Sequence, residues 1–267
     1  MFNTESMDKT ILKELINVAH KSKNVGIFID YDNVYYSMKD FSIDVSSNEY
    51  DICAFLNDVY GKDRIRTFRA YADFDQVDVL LKKLQENRVQ IRNVYGNGKE
   101  EHRRKNASDI ELSLDALDSS YRNPNIDTYV FVTADSDMIP IMSRMSYKGK
   151  QVHLFYMGEN TSTEQHMETY ANFACDILNL FNVDRSKSDP ALYYQDTLEY
   201  IKKWHENPKN QGGKILGAKF LIEPLKKQLG ISSKLLWKVI NNLENEEKIE
   251  VYGEKPYQGY KIKEIKD

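Results

Sequence analysis

Only two cysteines occur in 267 residues, Cys53 and Cys175. Each is expected to stand alone among apolar helical neighbours, so neither a disulfide framework nor a thiolate zinc site is expected, and both read as buried structural thiols. No apolar stretch approaches the roughly 20 residues that span a bilayer. The opening MFNTESMDKTILKELINVAHKSK lacks the apolar core of a secretory signal, so no membrane partner is expected and the location reads as cytoplasmic. A strong basic excess is missing too: the net charge is −4 and the pI is near 5.8, far from the signature of many nucleic-acid binders. The charge is uneven, however. From Arg185 onward there are 16 Lys and Arg against 12 Asp and Glu, leaving 21 against 29 for residues 1–184. Charge alone therefore leaves the partner undecided.

What the sequence does hold is a set of acids placed where strands stop. Asp30 ends the apolar run from Val25, Asp135 and Asp137 follow the run Tyr129–Val132, and Asp109 lies between them. Buried parallel strands read as continuous apolar runs, and ligands sit beyond their carboxyl ends, so these four residues are expected to converge at one sheet edge. Carboxylates crowded together repel one another, and a divalent cation relieves that repulsion. Oxygen ligands without nearby Cys or His favour Mg2+ or Mn2+ over zinc. The expectation is a metal-dependent phosphodiesterase with Asp30, Asp109, Asp135 and Asp137 as metal ligands and catalytic residues.

Strand and helix alternate along the first two thirds. Strands are expected at Val25–Asp30, Arg64–Ala72, Val89–Val94, Tyr129–Thr133 and Gln151–Tyr156. Helices are expected at Lys9–His20, around Glu49–Tyr60, and at Gln76–Asn87, Asp109–Ser120, Pro140–Tyr147 and Thr163–Phe173. Alternation of this kind gives an α/β fold with a mostly parallel sheet covered on both faces. The turn-rich YGNGKEEHRRKNASD reads as a loop whose Arg103, Arg104 and Lys105, with His102, would clamp a phosphate; a solvated charge run is the plainer alternative. After the polar break VDRSKSDP come helical periods at Ala191–His205, Ala218–Leu229 and Ser232–Glu246, then two short strands within Lys248–Ile265. The expected domains are 1–183 and a small winged-helix-like domain, 184–267, whose third helix would present Lys234 and Lys238, with Lys255, Lys261 and Lys263 on the wing.

The segments FIDYDN (Phe28–Asn33), KNASDIELSLDAL (Lys105–Leu117) and VTADSDMIPIM (Val132–Met142) resemble, in that order, the three signatures of the NYN domain, a PIN-like nuclease fold. The resemblance implies a three-layer α/β/α domain over roughly 24–180 and a metal-dependent ribonuclease, the expected products being 5′-phosphate and 3′-hydroxyl ends. It makes Asp30 the first-strand ligand with Asn33 as its polar partner, Asp109 the central helix acid, and Asp135 and Asp137 the completion of the pocket. Thr133 is expected to bond a ligand or a carboxylate. Ala134 stands where glycine is usual, and Ala107 and Ser108 replace a common Gly-Val pair. The C-terminal module resembles, more loosely, the winged-helix domains of the LOTUS type, implying help in selecting a substrate or partner and a route to a homodimer or protein complex.

Two other readings fit parts of the pattern. IDYDNV also suits the opening of a haloacid-dehalogenase-type phosphatase, with Asp30 as nucleophile and Asp32 as acid or base, although that scheme leaves Asp109 unexplained. The domain would otherwise be a non-catalytic RNA-binding platform. RNA is the expected partner, with DNA left open. Tyr31, Tyr35 and Tyr36 would stack bases or pack in the core, and Asp115 is expected to pair with a base rather than join the site.

Overall fold

Val25–Ile29 and Tyr129–Val132 are apolar without interruption because both faces of the sheet are covered, and every residue of the strands that carry them, Val25–Asp30 and Thr128–Val132, is buried. They are β1 and β4 of a six-stranded sheet with β2 (Ile65–Ala72), β3 (Gln90–Asn93), β5 (Gln151–Tyr156) and β6 (Phe173–Asp176). The order is β3-β2-β1-β4-β5-β6, and all five pairings are parallel. The order reverses between β1 and β4, which opens a crevice beyond their carboxyl ends. The computed structural model describes residues 4–41, 43–45, 47–77, 81–94, 107–133, 135–158, 166–253 and 257–263.

The helices of this α/β unit are α1 (Lys9–Lys21), α2 (Tyr31–Lys39), α3 (Ile52–Tyr60), α4 (Leu81–Glu86), α5 (Ala107–Arg122), α6 (Ile139–Tyr147) and α7 (Ile177–Leu180). Asp8 caps α1 by accepting from the N–H groups of Thr10 and Ile11, and Asp51 caps α3 by accepting from Ala54 N. Helix α5 lies on β1 and β2, α6 lies on β5, and α1 packs against α3 and β6. Phe28, Tyr71, Tyr129 and Phe131 of the strands join Leu112 and Ala116 of α5 and Met142 and Met145 of α6 in one apolar cluster. Successive side chains of a strand alternate sides, so Ile27, Ile29, Val130 and Val132 fill the opposite face.

Two expectations need correction. Described residues of the segment expected as a helix at Thr163–Phe173 form a short 3-10 turn, Met167–Tyr170, and then enter β6 at Phe173. Cys175 therefore sits on a strand rather than among helical neighbours, although both cysteines are free and buried as expected. Of Gln76–Asn87, the helix spans Leu81–Glu86, and Asp73 to Gln76 make a turn closed by Gln76 N donating to Asp73 O, 2.8 Å. Arg103, Arg104, Lys105, His102, Ala134 and Lys255 lie outside the described residues.

The chain divides after Val183. One unit is Met1–Met38 with Asp44–Val183; the other is Lys39–Ile43 with Asp184–Asp267. The second unit holds α8 (Tyr194–Glu206), α9 (Ala218–Leu229), α10 (Ser233–Asn245) and an antiparallel hairpin of β7 (Ile249–Tyr252) and β8 (Gly259–Ile262). Its core is built from Ile201, Leu221, Leu225, Leu236, Val239 and Ile240. Gly230, at φ +68°, ends α9 in the left-handed conformation that glycine adopts without strain. Ser232 caps α10, accepting from Leu235 N at 3.1 Å, while its own N–H donates to Asp40 Oδ1 at 2.8 Å.

The two faces of α5 make a clean contrast. Leu112→Ala removes a side chain buried against the sheet and is expected to lower unfolding free energy by about 2–5 kcal/mol. Leu114→Ala, on the outer face, is expected to change it by no more than about 0.5 kcal/mol in dilute protein. Urea titration of both variants checks this; equal losses would mean that α5 is rotated about its axis from the orientation described.

Candidate active site

Strand parity decides which acids meet. Asp30 shares the side of β1 occupied by Phe28, and Thr133, just past β4, shares that of Tyr129 and Phe131, so both point to the face covered by α5. Parallel pairing sets Ile29 opposite Val132. The next residues along each strand are then neighbours, and Thr133 Oγ1 donates to Asp30 Oδ2 at 3.2 Å. Asp109 lies in the first turn of α5, one turn before Leu112, on the buried side of that helix. Its carboxylate is hydrogen-bonded to that of Asp30.

Both members of this pair are nearly sealed, with relative exposures of 2% for Asp30 and 7% for Asp109. Burial, then the charge of Asp109 and its hydrogen bond, holds the Asp30 carboxyl well above the usual carboxylate range, with Asp32 adding to the effect. Burial also raises Asp109, to about 6; repulsion from Asp135 and Asp137 adds to the rise, and the bond from Asp30 opposes it. The pair thus tends to hold one proton between its two carboxyl groups, since both cannot readily ionise so buried. Asn33 enters through its backbone, its N–H donating to Asp30 Oδ1 at 3.4 Å.

Asp135 and Asp137 form the outer rim. Met138, buried in the core and accepting a 3.9 Å contact from Ser113 of α5, anchors the 3-10 turn Ser136–Met138 that carries them. Asp135 N donates to Thr133 Oγ1 at 3.0 Å, and Asp135 Oδ1 accepts from Asp137 N at 3.0 Å. Thr133 has no exposed surface; of its two expected contacts, the one present is with a carboxylate. Asp137 is exposed and opens onto a cleft of about 760 Å3 lined also by Ile139, Pro140, His166, Thr169 and Tyr170.

Two further acids complete the edge. Asp32, at the start of α2, accepts from Asp73 N at 3.1 Å through Oδ2, and burial lifts its carboxyl to about 6 despite that bond. Asp73 follows β2 on the side of Tyr71, and its buried Oδ1 has no hydrogen-bond partner among the described residues. Sequence reading passed over Asp73, although it ends an apolar strand as Asp30 does; charges inside RIRTFRAYA masked that likeness. His166 and Tyr170 carry no sequence signal, because only the fold brings them beside Asp137. Asp115 stays apart: its Oδ2 accepts from Tyr71 at 2.7 Å and pairs with Arg69 at 3.0 Å and Arg92 at 3.3 Å. Tyr31 is buried against Phe74, and Tyr35 and Tyr36 meet edge to face at 5.1 Å.

The donor chemistry fits a hard divalent cation: acidic oxygens only, ionisation suppressed by burial and mutual repulsion, and one buried carboxylate oxygen left unsatisfied. Among the described residues, however, no group of three or more His, Cys, Asp or Glu side chains is already arranged to hold a metal ion. The electrostatic coupling spans the whole cluster, whereas direct carboxylate contact is confined to Asp30 and Asp109.

The NYN domain family matches residues 24–210, well over half of the sequence, and the chain belongs to this family of PIN-like nucleases. The match runs past Val183 and through α8. The sequence is 23% identical over 182 residues to the uncharacterized protein MJ0482 of Methanocaldococcus jannaschii, covering 67% of each chain. Among solved structures it is similar to VPA0982 of Vibrio parahaemolyticus, a protein of unknown function. That comparison has 19% identity and a TM-score of 0.46, covering 58% of this chain and 92% of the other.

Raised carboxyl pKa values carry a sign. Between about pH 4 and pH 6 the folded protein holds protons on Asp30, Asp109 and Asp32 that the unfolded chain has released, so their contribution to stability falls as pH rises through that window. Asp109→Asn removes the buried ionisation. Without divalent ions, its melting temperature is expected to exceed the wild type's by a few degrees at about pH 7.5 and to approach it near pH 4.5. Calorimetry at the two pH values is decisive; an equal offset at both would remove the titration from the explanation.

Proposed function

We propose that this protein is a metal-dependent ribonuclease, most simply an endonuclease, that hydrolyses RNA phosphodiester bonds at the edge formed by β1, β4 and α5. The observation that carries the reading is the buried Asp30–Asp109 pair, tied to Thr133 and ringed by Asp135 and Asp137, in a chain of a nuclease family. Asp30 and Asp109 would hold Mg2+ or Mn2+, with Asp135 and Asp137 acting directly or through water. When bound, such a cation activates water as a Lewis acid and neutralises charge that builds on the phosphate.

The remaining work belongs to the chain. Thr133 fixes the rotamer of Asp30, and the backbone N–H of Asn33 braces its other oxygen. The proton held by the Asp30–Asp109 pair would pass to solvent when a cation is held there and return when it leaves. Burial by Leu112 and Phe28 keeps bulk water from screening these charges. The exposed Asp137 marks where the substrate backbone approaches, and Arg103, Arg104 and Lys105 are proposed as phosphate contacts.

A haloacid-dehalogenase scheme fares worse. It leaves Asp109, whose buried carboxyl acts directly on Asp30, without a role. The C-terminal unit is proposed as a winged-helix module of the LOTUS type that selects RNA or a protein partner, the latter including a second copy. Its three helices followed by a hairpin support that reading. The lysines offered as its phosphate surface are engaged elsewhere: Lys261 with Glu250 at 2.8 Å and Lys263 with Glu247 at 3.2 Å, while Lys234 and Lys238 act on the buried Asp40. A cytoplasmic setting is proposed on the two free, buried thiols; among the described residues no helix is long and apolar enough to cross a membrane.

Purified protein with Mg2+ or Mn2+ is expected to cut single-stranded or structured RNA, with EDTA or Asp135→Asn lowering the rate by about 100-fold or more. Mapping of new 5′ ends checks this, matched DNA substrates resolve the sugar preference, and undiminished cleavage by Asp135→Asn would assign the activity elsewhere. Asp32→Asn is expected to retain much of the nuclease rate. The same change would abolish a phosphatase using Asp32 as acid or base, so a phosphatase assay of this variant separates the two chemistries.

A further inference from the structure

Helix α5 has a second apolar face that the described residues leave uncovered. Ile110, Leu114, Leu117 and Tyr121 recur at i, i+4, i+7 and i+11, a spacing that lines one side of a helix over about 16 Å. Ile110 and Leu114 are each 57% exposed and Tyr121 is 65% exposed, while Leu117 packs at the margin of the core. At the end of α6, Tyr147 is 90% exposed, and the next residue, Lys148, places Nζ 3.6 Å from the centroid of the Tyr121 ring. Single exposed leucines are ordinary, but a continuous stripe of this kind marks a contact surface.

We propose that this stripe is the contact face of a homodimer, in which two α5 helices pack antiparallel about a two-fold axis passing between Leu114 and Leu117. The charges at its ends select a second copy as the occupant. Glu111, which has no ion-pair partner among the described residues, flanks the N-terminal end of the stripe. Arg122, paired within the helix to Asp118 at 2.7 Å, and Lys148 flank the C-terminal end.

An antiparallel copy sets Glu111 of each chain against Arg122 and Lys148 of the other, twice by symmetry. A parallel arrangement sets Glu111 against Glu111. The same antiparallel geometry stacks Leu114 on Leu117 of the second chain and Ile110 on Tyr121. Four side chains and a tyrosine per chain bury less than the about 800 Å2 per partner of a standard interface, so the dimer forms at micromolar concentration rather than being obligate.

This association goes beyond the nuclease reading and does not depend on it.

Sedimentation velocity of the full chain from about 1 to 200 μM is the test. The wild type is expected to pass from monomer to dimer, and Leu114→Asp is expected to stay monomeric with an unchanged melting temperature. Should Leu114→Asp melt early, Tyr121→Glu takes its place. Glu111→Arg is expected to raise the dissociation constant about tenfold, and adding Arg122→Glu to restore it, because the swapped charges again face each other. A wild type monomeric throughout, or a dimer that Leu114→Asp and Tyr121→Glu leave intact, overturns the proposal; the latter places self-association on another surface. None of these measurements reads cleavage, so an inactive dimer would refute the nuclease reading alone.

Discussion

A hydrogen bond between two carboxyl groups, Asp30 on β1 and Asp109 on α5, is the constraint around which the rest of the α/β unit is arranged. Two acids so placed cannot both ionise in an apolar setting, so one keeps its proton and each loses acidity. Holding them together requires the parallel pairing of β1 with β4, which delivers Thr133 to Asp30, and the packing of Leu112 and Ala116 on Phe28 and Tyr71, which fixes the rotation of α5. Asp115 adds a brace from the same helix, tying Tyr71, Arg69 and Arg92 together away from the site. The apolar core thus pays for an electrostatic conflict at its edge, the usual relation between a stable scaffold and a functional centre.

Much of this was legible in the residues themselves. Val25–Asp30 and Tyr129–Thr133 read as strands because short apolar runs of five and four residues suit a sheet buried on both faces; the first forms over the expected range and the second one residue earlier, at Thr128–Val132. Ala218–Leu229 forms over the expected range, and Ser232 caps α10. Asp30 and Asp109 meet because parity and helical phase, both readable as patterns, put them on one side. Where the reading failed, the signal was short or local. Phe173–Asp176 is a four-residue edge strand paired only with β5, too brief to show a period of two, and the apolar residues before it mimicked a helix. Asp73 was hidden by the arginines of β2, of which Arg69 reaches Gln90 and Asp115.

The second unit shows why a count of lysines is a poor guide to a binding face. Its basic balance suggested a phosphate-contacting surface, yet the hairpin lysines Lys261 and Lys263 lie beside glutamates of the same module. Such exposed pairs add little stability, but they lower the local potential on which attraction of a polyanion depends. Asp40, buried beside Ser232, does the same for the first turn of α10. Sequence can count charges; only the fold says which ones cancel.

The alternation along β1 and β4 has an evolutionary corollary. Phe28 and Asp30, and likewise Phe131 and Thr133, share one side of their strands, so the hydrophobic floor and the charged rim are read in the same frame. A single-codon insertion inside β1 would exchange Asp30 for Ile29 at the rim, and one inside β4 would exchange Thr133 for Val132, while still offering the core an apolar residue. Descendants of such a lineage would keep a plausible fold and lose the centre in one step. Length variation is therefore confined to the connections, and the strands must diverge by substitution alone.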